Sequence, residues 1–116
     1  MVEALLVRRE KAQRVREDLI SRGIEFYEER DSFHFLFIFP SKIGYSTSSG
    51  KSCYLVGNSV EEVPTHGSTF KIEGSREAIR AFASLFEKRG LKARMEDPDN
   101  LIEIRRWDGK YLVSVS

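Results

Sequence analysis

The chain has 116 residues, 41% of them apolar and 32% charged, the profile of one globular domain large enough to bury a core without disulfide or metal. Its formal net charge is +1, which excludes binding of DNA, RNA or anionic membranes by bulk cationic charge and leaves only local basic patches. Cys53 is the single cysteine, so an internal disulfide is excluded, and no Cys/His cluster has zinc spacing.

Ala4–Val7 reads as a short strand. This apolar run is too short for a signal sequence and nothing approaches a membrane span, so a cytoplasmic protein with no membrane partner is expected. Lys11–Arg22 reads as a helix with Ala12, Val15 and Leu19 on one stripe, stopped by Gly23. Ile24–Glu28 reads as a strand, Asp31-Ser32 as a turn, and Phe33–Phe39 as a strand ended by Pro40. Ser41–Ser52 is small and polar, the composition of a loop; Cys53–Val56 is a short strand, and Val60–Gly67 a connector.

The same order then recurs. Thr69–Glu73 is a strand. Ser75 is placed to cap a helix that carries Glu77 in its first turn and Ile79, Phe82, Ala83 and Phe86 on its core stripe. Arg89-Gly90 ends that helix as Arg22-Gly23 ends the first. Leu91–Glu96 is a strand, Asp97-Pro98-Asp99-Asn100 a hairpin turn, and Leu101–Arg106 and Lys110–Val115 are strands joined at Asp108-Gly109. Ala12, Val15 and Leu19 fall on Ile79, Phe82 and Phe86 at one constant offset, which predicts a pseudo-twofold βαββ repeat. The expected divisions of the single domain are residues 2–40, a connector 41–67, and residues 68–116.

Motifs for catalysis are weak. Gly50-Lys51-Ser52 is a P-loop fragment, but Tyr45 stands where the first glycine belongs and a strand follows in place of a helix. His34 lies in an apolar strand and His66 in a loop, neither with a second ligand at motif spacing. No serine occupies a nucleophile elbow, and Glu28-Glu29 and Asp97/Asp99 flank turns, where solvated carboxylates are ordinary. No cofactor, no metal and no catalytic residue is assigned.

Two groups point to binding. Arg105, Arg106 and Lys110 with Trp107 and Tyr111 form a basic-aromatic cluster at the last hairpin, suited to phosphate contact and base stacking. Phe33, Phe35, Phe37 and Phe39 lie on one face of a strand, with His34, Leu36 and Ile38 on the other, so one apolar face is left to make a contact, with a second copy or, as the rival reading, with the chain's own Ser41–Gly67 segment. Arg8, Arg9, Lys11, Arg14 and Arg16 interleave with Glu10, Glu17 and Asp18, and this basic stretch reads as a solvated helix face.

Ser48-Ser49-Gly50-Lys51, a short strand, Gly57 and Ser59-Val60-Glu61-Glu62 resemble stretches of the TATA-box-binding protein family, as does Phe70 to Met95 with its Gly74-Ser75-Arg76-Glu77 and Gly90-Leu91-Lys92-Ala93. Small archaeal proteins with a sheet of this kind and two helices are similar in size and element order. The resemblance implies a TBP-like fold. It does not extend to TATA binding, because Thr47 stands where the family has the aromatic that wedges into DNA.

The sequence therefore predicts an α+β, two-layer sandwich: a mainly antiparallel sheet of six or more strands with two helices on one face. The expected role is a binding module, with nucleic acid on the open sheet face; the alternative is a protein-interaction or self-association domain that forms a homo-oligomer.

Overall fold

The computed structural model describes residues 1–57, 60 and 62–116. Among these lie eight strands and two α-helices. In chain order they are β1 (Val2–Arg8), a 3₁₀ turn (Arg9–Lys11), α1 (Ala12–Ser21), β2 (Tyr27–Arg30), β3 (His34–Phe39), β4 (Lys51–Val56), β5 (Thr69–Glu73), α2 (Arg76–Lys88), β6 (Lys92–Ala93), β7 (Asn100–Trp107) and β8 (Lys110–Val115). The fold is α+β, as expected. The chain divides into two compact units, Val2–Cys53 and Tyr54–Ser116, the latter with Met1. The boundary falls inside β4. Ser59 and Glu61, part of the TBP-like stretch, lie outside the described residues. No helix among the described residues is long and apolar enough to cross a membrane.

In the first unit the strand order is β2-β3-β1-β4. β3 lies between β1 and β2 and is antiparallel to both, with Leu5 opposite Phe37 and Tyr27 opposite Ile38. This is a split βαβ arrangement: α1 crosses from β1 to β2, and β3 fills the gap. Alternation along the strands puts Leu5, Val7, Phe37 and Phe39 into one cluster with Ala12, Val15 and Leu19 of α1. Phe26 meets Phe37 edge-on at 5.5 Å. Ile43 and Tyr45 join this cluster, and the Tyr45 hydroxyl donates to Asp18 Oδ2 at 2.6 Å. That bond, followed by the one from Arg22, holds the Asp18 carboxyl below its usual range. Gly50 passes close to β1: a Cβ there would lie 2.9 Å from Leu5 Cγ and Val7 Cγ2, so a larger residue forces the core to move.

In the second unit the order is β4-β8-β7-β5-β6. β7 and β8 form the expected antiparallel hairpin, turning at Asp108 (φ 43) and Gly109 (φ 77), both left-handed as a tight type I′ turn requires. β5, however, pairs in parallel with β6 on one side and β7 on the other. The expectation of a mainly antiparallel sheet is therefore corrected to mixed pairing. Ala93 and Asn100 both align with Phe70, so the segment 94–99 passes across the start of β5 and is not the hairpin turn its Asp-Pro-Asp-Asn composition suggests. The expected repeat is also absent from the pairing: β3 is antiparallel to β1 while β7 is parallel to β5, and β6 lies beside β5 while β2 is separated from β1.

α2 begins as expected. Ser75 Oγ accepts from the Ala78 N–H at 3.1 Å, and Glu77 stands in the first turn. Its buried positions are Ala78, Phe82 and Phe86, spaced by four, so Ile79 falls at the solvent edge and not in the expected stripe. Phe82 packs edge-on against Tyr111 at 4.8 Å, in one cluster with Phe70, Ile102, Ile104 and Val113. The connector before β5 is pinned by side chains. Arg89 donates to the Val60 carbonyl at 2.6 Å and to Thr65 Oγ1 at 3.0 Å. Asp99 Oδ2 accepts from the N–H groups of Ser68 and Thr69 at 2.7 and 3.1 Å, which lowers the Asp99 pKa. Gly67 (φ 61) packs so tightly here that a Cβ would lie 2.3 Å from Asp99 Oδ2.

Candidate nucleic-acid interface

The basic-aromatic cluster of the last hairpin is split by the pleat. Arg106 and Tyr111 are opposite each other on the face that packs on α2, and Trp107 is opposite Lys110 on the other face, together with Arg105. Arg106 Nη1 pairs with Glu77 Oε1 at 3.2 Å. Tyr111 is held against Phe82, and Trp107 is only 6% exposed. The structure therefore does not bring the five residues onto one surface, and neither aromatic presents a free ring for stacking.

The phenylalanine row is corrected in the same way. Phe35, Phe37 and Phe39 pack in the core with α1, and Leu36, on the opposite face, is fully buried within the chain. Neither set forms the exposed contact patch expected from the sequence, so the reason for expecting self-association through it is removed. Phe33, expected in line with them, stands outside β3 and is 74% exposed.

The remaining expectations concern single groups. β4 begins at Lys51 directly after Gly50, so no helix follows Gly50-Lys51-Ser52. No group of three potential metal ligands exists among the described residues. The His66 backbone N–H serves Asn100, and the His34 ring lies 3.4 Å from Asp31 Oδ1. Cys53 is buried, its Sγ donates to the Ala4 carbonyl at 3.6 Å, and burial pushes its thiol up to about 12, the behaviour of an unreactive structural cysteine.

Aromatic exposure and positive charge coincide at the end of β1. Arg8, Arg9, Glu10, Phe33 and His34 line a surface cavity of about 310 Å³. The backbone builds it firmly. Arg8 is opposite His34 in the ladder, and the Arg9 N–H donates to the Phe33 carbonyl at 2.9 Å. Asp31 Oδ1 accepts from the N–H groups of Phe33 and His34 at 2.8 and 2.6 Å, closing the β2–β3 turn. The Phe33 main chain is thus held from both sides while its ring stays in water. Leaving such a ring exposed forgoes roughly 1.5–3 kcal/mol of burial.

The charges around the ring are uncommitted. Among the described residues, Arg8, Arg9 and Glu10 make no ion pair and no side-chain hydrogen bond. Glu10 does not pair with Arg14, and Asp18 is held by Tyr45 and Arg22. Arg8 and Arg9 precede α1 and do not lie on its solvated face. A flat apolar ring beside two guanidinium groups and one carboxylate can stack a planar ring, hold an anion and accept a hydrogen bond. Sequence patterning places Arg8 and Arg9 in a basic stretch and Phe33 in a strand. The signal for their meeting is the Asp31-Ser32 turn, which returns the chain to the end of β1.

No family model and no curated protein matches the chain. Solved structures do. The crystal structure of PH1313 from Pyrococcus horikoshii Ot3 superposes with a TM-score of 0.66 at 11% identity, over 100% of this chain and 54% of that one. A 4-thiouridine synthetase crystallised with RNA and bound ATP superposes with a TM-score of 0.56 at 16% identity, over 100% of this chain and 41% of that one. The chain thus spans about half the length of these proteins or less, and at such identities the likeness shows a shared fold.

Proposed function

We propose that this chain is a binding module for single-stranded RNA, with Phe33 stacking on a base and Arg8 and Arg9 contacting the backbone. The observation that carries this reading is an exposed phenylalanine fixed beside two uncommitted arginines in one cavity. A synthetase of the same fold that was crystallised with RNA supports it. Stacking tolerates every base, and phosphate contacts add affinity that salt erodes, which suits a near-neutral chain with a local cationic site. Arg105 and Lys110 are further cations for the strand to reach, but the buried Trp107 offers no ring beside them.

The test is the affinity for an unstructured RNA oligonucleotide measured across a salt series. For wild type, log K is expected to fall linearly with log salt. Arg8→Ala with Arg9→Ala should flatten the slope by about 1.4, at roughly 0.7 per phosphate contact on a single strand. Arg105→Ala with Arg106→Ala should change it less, because Arg106 already serves Glu77. A wild-type chain with no salt-dependent RNA binding would end this reading.

A further inference from the structure

We infer that the cavity at Phe33 receives one unpaired nucleotide and prefers guanine, which it reads through Glu10. The inference rests on the RNA-binding reading above and adds the identity of the base. The cavity of about 310 Å³ lies at the small end of ligand sites, a size suited to a single nucleotide. A ring standing free in water can stack on an open π-face, and a duplex offers one only at its ends.

Glu10 supplies the selectivity. A carboxylate weakens a site whose only task is to hold phosphate, yet Glu10 lines this cavity beside Arg8 and Arg9 and is bridged to neither. An ionised carboxylate only accepts hydrogen bonds, through two oxygens side by side. Guanine presents N1–H and the N2 amino group side by side on one edge, a two-bond match. Adenine and cytosine place a ring acceptor next to their amino group, and uracil flanks its one N–H with two carbonyls, so each sets a lone pair against the carboxylate. With the base on Phe33 and its edge toward Glu10, the adjoining phosphate falls to Arg8 and Arg9.

The experiment is competition binding with four 12-nucleotide RNAs, uridine throughout except for one central G, A, C or U. Wild type should favour the G strand by about 5- to 150-fold, the range for one good bidentate base contact. Glu10→Gln should remove that preference and strengthen binding of the all-uridine strand, because a negative charge beside the phosphate contacts is gone. Phe33→Ala should weaken all four strands by about 5- to 150-fold, the range for one stacked base. Pairing the G strand with its complement should abolish the preference. Equal affinity for the four strands, or a preference that survives Glu10→Gln, overturns the base assignment while RNA binding stands. Absence of binding to every strand removes the RNA reading, and the assignment with it.

Discussion

Asn100→Leu should lower the unfolding free energy by about 3 kcal/mol, at roughly 1 kcal/mol, the low end for a partly buried group, for each of the three main-chain partners lost. Asn100 is 0% exposed and is the one buried polar residue among those described. Its Oδ1 accepts from the His66 N–H at 2.9 Å, and its Nδ2 donates to the carbonyls of His66 and Thr69, the latter at 2.9 Å. Leucine has the same branching and number of heavy atoms, so the shape is nearly kept while these bonds are lost. Three partly buried main-chain groups, the His66 N–H and the carbonyls of His66 and Thr69, then lose their side-chain partner. The loss is a large share of the roughly 5–15 kcal/mol that a domain has to spare. Asn100→Asp should fare no better, because it turns the donor into an acceptor facing two carbonyls. Urea denaturation reads both variants. A shift below about 1 kcal/mol would mean that water reaches these groups and replaces the side chain.

Phe37→Ala should cost about 3–5 kcal/mol, the range for emptying a buried aromatic site. Phe37 is fully buried between β3 and α1. It meets Phe26 edge-on, stacks with Phe35 at 6.5 Å, and has the Arg16 guanidinium 6.0 Å from its ring centre. Phe33→Ala should stay within about 0.5 kcal/mol, as most exposed substitutions do. Two phenylalanines of one sequence row thus lie in opposite surroundings, one in the core and one in water. Thermal denaturation of both variants decides this. A severe Phe33→Ala beside a mild Phe37→Ala would invert the assignment.

The sequence carried the local structure well, for local reasons. Ser75 as a cap, the stripe of Ala12, Val15 and Leu19, and the Asp108-Gly109 turn are signals read within a few residues of themselves. Pairing direction was not legible. Asp97-Pro98-Asp99-Asn100 has the composition of a hairpin, but whether the next strand turns back or crosses β5 is decided by where β6 lies, and β6 is only Lys92–Ala93. The side taken by Phe35, Phe37 and Phe39 depends on register, which a shift of one residue reverses. The hairpin cluster is divided for a similar reason: Arg105, Arg106 and Trp107 are neighbours in sequence, and neighbours on a strand point to opposite faces. Phe33 with Arg8 and Arg9 was hidden because a β-ladder, and not proximity in sequence, brings them together.

The boundary between the two units lies at Cys53–Tyr54, in the middle of β4. Domains that recombine freely are joined by exposed linkers, where a cut leaves both sides whole. Here a fragment ending at Cys53 would keep Lys51–Cys53 of the strand, and one starting at Tyr54 would keep Tyr54–Val56. Each remnant is shorter than the roughly 5–6 residues of an ordinary strand. Any gene fusion, split-protein design or limited digest that treats the halves as separable modules would cut through a strand, and the workable unit of inheritance is the span that keeps Lys51–Val56 whole.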